Sequence, residues 1–272
     1  MKRLAESRLA VLGLGTMGKA LVSGLFEAEL LTPAAVRATV RHPESVGRVA
    51  GLGIEVDTDN QAAARGSDVL LLCVKPAGVT RLVEELAGAG ALDHDPLLVS
   101  IAAGVRTRAI EEAAGRDLRV VRAMPNTPCL VGQGMSVLSA GASAGDEELD
   151  LAQELLAPLG RVLRLDEEHM DAVTGLSASG PAFVYVIIEA LAEGGVMVGL
   201  PRRVATELAA QTVLGASTMV LETGRHPAAL KDEVTTPAGC TISALLALED
   251  GRIRSVLARG VQEAARAARE LG

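Results

Sequence analysis

The stretch Leu9-Ala10-Val11-Leu12-Gly13-Leu14-Gly15-Thr16-Met17-Gly18 decides the fold of this chain. Four apolar residues in a row read as a short strand buried on both faces. Three glycines in G-x-G-x-x-G spacing follow at once and open an amphipathic stretch that reads as a helix over Met17 to Ala28. In that context the first glycine makes a tight turn and the second lets backbone approach a pyrophosphate. The third allows close packing of helix on strand, and the helix N-terminus faces the phosphates. The expectation is a dinucleotide site built on Gly13, Gly15, Thr16, Met17 and Gly18, with no metal.

The pattern continues outward. Short apolar runs lie at Val36 to Val40, Val69 to Val74, Pro96 to Ile101 and Arg119 to Met124, and helical stretches at Pro43 to Gly51, Gly78 to Leu86 and Thr107 to Ala114. Strands alternating with helices give βαβ units and a largely parallel sheet. Two further runs, Met135 to Ser139 and Arg161 to Leu165, flank a helix opened by Asp146 and extend the sheet at its edge. After about residue 168 the strand signal stops. Helical patterns follow over Pro181 to Val198, Arg202 to Thr223, Pro227 to Glu233, Thr241 to Asp250 and Ile253 to Leu271, with prolines where a first turn tolerates them. The chain therefore divides into an α/β dinucleotide-binding domain, residues 1–167, and an all-α domain, residues 168–272. Phe183 to Leu200 is apolar on nearly every face, more than a helical domain of this size can bury alone, which points to an obligate homo-oligomer.

Composition excludes several classes. Of 272 residues, 49% are hydrophobic and 22% charged, enough for a sizeable core. Aromatics are 1%, so stacking platforms for nucleic-acid bases have almost nothing to work with. A net charge of −8 and a pI near 5.2 disfavour nucleic acid or an anionic membrane as partner. Cys73, Cys129 and Cys240 are odd in number and scattered, which fits a reducing compartment. The opening residues carry no cleavable signal, and the uncharged stretch from Ala172 to Ile188 is broken by Gly175, Gly180 and Pro181. The expectation is a cytoplasmic protein without a membrane span. His42, His94, His169 and His226 are spread without metal-ligand spacing.

At the end of the second strand, Thr39-Val40-Arg41-His42 offers no acid for a ribose hydroxyl before Glu44. Arg41 suits a 2′-phosphate and so favours NADPH, with NADH as a lesser partner; an arginine in solvent is the alternative. Val74-Lys75-Pro76 follows a strand at the crevice edge, where Lys75 is either a phosphate or substrate contact or a solvated lysine. Asn126 stands in the stiff loop Met124-Pro125-Asn126-Thr127-Pro128, which either holds it near the nicotinamide or is simply a turn. Thr236-Pro237-Ala238-Gly239-Cys240-Thr241 leads into a helix, whose first turn serves either as an anion site or as a plain cap.

Three segments carry a family resemblance: RAMPNTPCLVGQGMSVLS (Arg122 to Ser139), DAVTGLSASGPAFVYVIIEALAEGG (Asp171 to Gly195) and LKDEVTTPAGCTISALLALE (Leu230 to Glu249). With the glycine loop they resemble the pyrroline-5-carboxylate reductases over essentially the whole chain. The resemblance implies hydride transfer from NAD(P)H to the C=N bond of 1-pyrroline-5-carboxylate, giving L-proline. It implies that N–H groups of Gly239 and Cys240 and the Thr241 hydroxyl hold the substrate carboxylate, and that Thr174 hydrogen-bonds the ring nitrogen. It also implies a Rossmann-like first domain, a second domain that dimerises, and often five dimers in a ring. The sequence departs from the family pattern at Ala77, Ala178 and Ala238, the last two standing where glycine is usual. Reduction of a related cyclic imine and a non-catalytic NADP-binding protein are the alternatives. A β-hydroxyacid dehydrogenase would need a catalytic lysine in the second half, where only Lys231 stands.

Overall fold

A computed structural model describes residues 3–270, apart from the side chains of Arg48 and Ala50. They form two compact units: the chain up to Ser179 together with the segment from Ala264, and Gly180–Glu263.

The first unit is built on an eight-stranded sheet. Its strands are β1 (Leu9–Leu12), β2 (Val36–Thr39), β3 (Glu55–Asp57), β4 (Val69–Leu72), β5 (Leu97–Ser100), β6 (Val120–Met124), β7 (Gly134–Ala140) and β8 (Gly160–Arg164). Their order is β3-β2-β1-β4-β5-β6-β7-β8, and every pairing is parallel except β6 with β7. Strand order reverses between β1 and β4, where open α/β sheets bind ligands.

Each strand feeds two cores because side chains alternate. Leu9 and Val11 join Val69, Leu71, Leu97 and Val99 on one face, covered by α1 (Thr16–Glu27) and α5 (Asp146–Leu156). Ala10, Leu12, Leu70, Leu72 and Leu98 point the other way, under α2 (Asn60–Ala64), α3 (Val79–Gly88) and α4 (Thr107–Ala114). Sealing one such aliphatic side chain contributes about 1.5–3 kcal/mol.

Some expectations need correction. Pro43 to Gly51 is not an α-helix but two 3-10 turns, Pro43–Ser45 and Gly47–Leu52. β3 and α2 give no readable pattern: β3 has three residues, two of them acidic, and α2 rests on the Asp59 cap that accepts from the N–H of Gln61 and Ala62. Beyond the sheet, Met170 and Val173 on α6 (Met170–Val173) pack with Met124 and Val137.

The second unit holds α7 (Gly180–Met197), α8 (Arg202–Thr223), α9 (Pro227–Glu233) and α10 (Cys240–Asp250); α11 (Ile253–Arg269) begins in it. The stretch Arg202 to Thr223 read from the sequence is α8, and Gly224 closes it with φ +64°. Leu271, which the sequence places at the end of α11, lies outside the described residues. Here α7 packs on α8 through small side chains. A Cβ on Gly195 would stand 3.0 Å from the Ala205 Cβ. The cluster they bury is Ala192, Ala205 and Ala209. Among the described residues, two helical stretches, Glu167–Met197 and Arg202–Thr223, are long and apolar enough to cross a membrane by length and composition.

Candidate active site

The three glycines of the β1–α1 turn do three different things. Gly13 turns the chain at φ +93°, and a Cβ there would stand 2.9 Å from Val74 Cγ1 and 3.1 Å from the Val74 N. Gly18 lies under the sheet, where a Cβ would meet Val11 Cγ1 at 3.2 Å and Cys73 Sγ at 3.5 Å. Gly15 faces open space, with only the Gly13 carbonyl 4.0 Å from a Cβ. As the N-cap of α1, Gly15 has no side chain to close the first turn, so the N–H groups of Thr16 and Met17 point out of the helix end.

The loop is held from β2. Both the carbonyl and the hydroxyl oxygen of Thr39 accept from the Gly13 N–H, at 3.2 and 3.1 Å, and the Leu14 N–H donates to the Thr39 carbonyl at 2.6 Å. The Thr39 hydroxyl donates to Asn60 Oδ1 at 2.6 Å. Neither Thr39 nor Asn60 was singled out in the sequence, because the partners are non-local. Arg41 lies exposed just beyond β2, and Val74, Lys75 and Pro76 follow β4 on the same sheet edge, with Lys75 exposed. Burial pushes the Cys73 thiol up to about 12, so this sulfur under the glycine loop stays protonated and packs rather than reacts.

Thr174 begins a π-turn, Thr174–Ala178, that continues from α6. The Ser179 N–H reaches back five residues to the Thr174 carbonyl at 3.0 Å. Such turns recur at functional sites. The Thr174 hydroxyl is nearly buried and donates to the Met170 carbonyl at 2.8 Å, so its lone pairs remain to accept a bond. The Asn126 carboxamide is held at both ends. Its Oδ1 accepts from the Met135 N–H at 2.9 Å, and its Nδ2 donates to the Ser177 carbonyl at 3.2 Å.

In the second unit, Thr236-Pro237-Ala238-Gly239 closes a turn through the Gly239 N–H and the Thr236 carbonyl at 3.0 Å. Proline second and a left-handed residue third, Ala238 at φ +58°, is the pattern of a type II turn. Gly239 then caps α10 without a side chain, leaving the N–H groups of Cys240 and Thr241 at an uncapped helix start with Cys240 exposed. Among the described residues no group of three or more His, Cys, Asp or Glu side chains is arranged to hold a metal ion.

Comparison with known proteins decides the family. Residues 167–271 match the model for pyrroline-5-carboxylate reductase dimerisation, and residues 8–104 that for NADP oxidoreductase, coenzyme F420-dependent. A pyrroline-5-carboxylate reductase from Glycine max is 44% identical over 98% of this chain and 97% of its own length. The chain belongs to the pyrroline-5-carboxylate reductase family.

Two solved structures of such reductases overlay on it. The one from Coxiella burnetii has a TM-score of 0.90 at 34% identity, covering 98% of each chain. The one from Plasmodium falciparum, described with NADP bound, has a TM-score of 0.87 at 28% identity, covering 99% of each. Against that family the departures separate. Ala178 keeps an ordinary negative φ and packs its methyl beside the cluster of Met124, Val137, Met170 and Val173, so it is accommodated. Ala238 occupies the left-handed position that favours glycine, at a cost of about 1–2 kcal/mol.

Proposed function

We propose that this member of the reductase family reduces the C=N bond of 1-pyrroline-5-carboxylate to L-proline, with NADPH as the preferred hydride source. The observation that carries the reading is the full-length match to reductases of that name, 44% identical over 98% of the chain. When bound, the nicotinamide supplies the hydride. Everything else falls to the chain's own groups.

Gly15 gives a pyrophosphate access to the backbone, and the outward N–H groups of Thr16 and Met17 bind it at the positive end of α1. Gly13 and Gly18 keep that cradle tight against Val74 and Cys73. Arg41, exposed where a ribose-binding acid would stand, pairs with a 2′-phosphate; NADH, lacking that group, binds more weakly. Val74, Lys75 and Pro76 line the crevice edge on the β4 side.

The substrate offers one carboxylate and one imine nitrogen. The N–H groups of Cys240 and Thr241 and the Thr241 hydroxyl bind the carboxylate at the uncapped start of α10, while Gly239, whose own N–H closes the turn on the Thr236 carbonyl, contributes an open cap rather than a donor. Thr174 faces the nitrogen. Because its own proton is spent on the Met170 carbonyl, its hydroxyl serves best as acceptor for the N–H of an iminium already protonated in solution. That arrangement orients the ring for hydride attack and asks for no strong acid. The rate then comes chiefly from holding donor and acceptor in near-attack geometry.

We assign the apolar faces of α7 and α8 to a subunit interface rather than a bilayer, since Glu189, Glu193 and Glu207 interrupt them. The working form is then a dimer, or a ring of dimers, in the cytoplasm, without nucleic-acid or membrane partners. The test is NADPH oxidation by the purified protein with and without pyrroline-5-carboxylate, repeated with NADH. Substrate-dependent oxidation with proline as product supports the reading. Tight NADPH binding without turnover would direct the search to a six-membered cyclic imine.

A further inference from the structure

We propose that β6 and the residues just after it form a seat for the Thr174 turn through three alternate positions, Arg122, Met124 and Asn126, the two polar ones being positioning residues. The proposal rests on the function proposed above for Thr174.

In extended chain the side chains at i, i+2 and i+4 share a face. Asn126 continues the extended backbone of β6 at φ −129° and ψ 166°. The three residues therefore form one row, and that row meets the segment carrying Thr174 at its start, middle and end. Arg122 NH1 lies 3.3 Å from Glu167 Oε1. Met124 packs with Met170 and Val173. Asn126 Nδ2 donates to the Ser177 carbonyl at 3.2 Å.

Each polar contact is braced by another element. The Thr107 N–H and hydroxyl, at the start of α4, donate to the two Glu167 oxygens at 2.8 Å each. The Met135 N–H of β7 fixes the Asn126 carboxamide, so its Nδ2 points at Ser177. The hydroxyl bond of Thr174 stays within the segment, on Met170, so the hydroxyl stands wherever the segment is seated.

Arg122 is the informative member, only 1% exposed and paired with a single carboxylate. Apolar residues usually fill such a site at no loss of stability. A buried charge here makes sense as a device that fixes one register of the segment on the strand. The turn it fixes is a π-turn, with one residue more than an α-turn, which a slack segment would absorb into regular helix.

The test is a double-mutant cycle. Asn126→Asp keeps the acceptor for Met135 and sets a carboxylate against the Ser177 carbonyl; Glu167→Gln weakens the other end. We expect kcat to fall about tenfold for the first and about threefold for the second, with NADPH affinity unchanged, as for the loss of one hydrogen bond. In a Thr174→Val background neither change should lower kcat further, because both act through that hydroxyl. Losses that multiply in that background, or weakened NADPH binding at full kcat, would overturn the proposal. If Asn126→Asp does not fold, Glu167→Gln carries the same cycle. Hydrogen exchange without substrate separates this proposal from the function: the amides of Thr174–Ser179 should exchange faster in either variant, and unchanged exchange would sink the seat even in an active enzyme. Failure of the wild type to reduce pyrroline-5-carboxylate would refute the function alone, and exchange would then decide the seat.

Discussion

Leu70 and Leu208 are both leucines in the middle of regular elements, yet Leu70 is fully sealed and Leu208 is 52% exposed. The contrast holds across the two units. On the sheet, continuous apolar runs fill a core on each face. In the helical unit the cluster amounts to three alanines and the side chains packed against them, while Tyr185, Val186, Met197, Val198, Leu214 and Leu246 lie open. Isolated exposed leucines need no explanation, but a whole set of apolar helix faces does. A sheet half closes its own hydrophobic cores; a helical half of this composition, on the function proposed above, is closed by a second copy. The match of residues 167–271 to a dimerisation model points the same way.

The strongest way to break the comparison is to charge the open faces. Val186→Glu combined with Leu208→Glu should leave a monomer by sedimentation, with turnover down roughly 100-fold or more, since burying unpaired carboxylates costs several kcal/mol. NADPH binding, which the sheet half carries, should stay within a small factor. A dimer of normal activity would show that these faces are not the interface.

Next comes Gly13→Ala, which attacks the sheet half at its tightest point. Positive φ and the close Val74 contacts together cost about 2–4 kcal/mol, so NADPH affinity should fall roughly 100-fold in a titration, with assembly intact. Smaller still is Arg41→Asp. Loss of a charge-assisted pair should weaken NADPH about tenfold and leave NADH nearly unchanged. Equal effects on both cofactors would make Arg41 a bystander. The smallest effect belongs to Ala238→Gly, expected to stabilise by about 0.5–1 kcal/mol in thermal unfolding, as relief of strain outweighs added freedom of the unfolded chain.

What the sequence made legible follows the same division between local and distant. Leu9–Leu12 followed by Gly13, Gly15 and Gly18 announces strand, turn and helix within ten residues, and the helical pattern over Arg202 to Thr223 is α8. β3 was illegible because Glu55 and Asp57 hide a three-residue edge strand. At the site, residue types were readable but their partners were not. Asn126 reads as a loop asparagine near the cofactor, and its bonds to Met135 and Ser177, 9 and 51 residues away, are not signalled. Arg122 was part of a recognised segment, yet its pairing with Glu167 spans 45 residues and no periodicity signals it. The Ala238 departure was visible, while its cost depends on a backbone angle that sequence does not state.

The most direct test of the contrast follows sedimentation and specific activity together through one dilution series. We expect turnover of pyrroline-5-carboxylate to fall in step with dissociation of the assembly, while NADPH binding per chain persists. Full specific activity from a monomer would contradict the view that the helical half is completed only by a second copy.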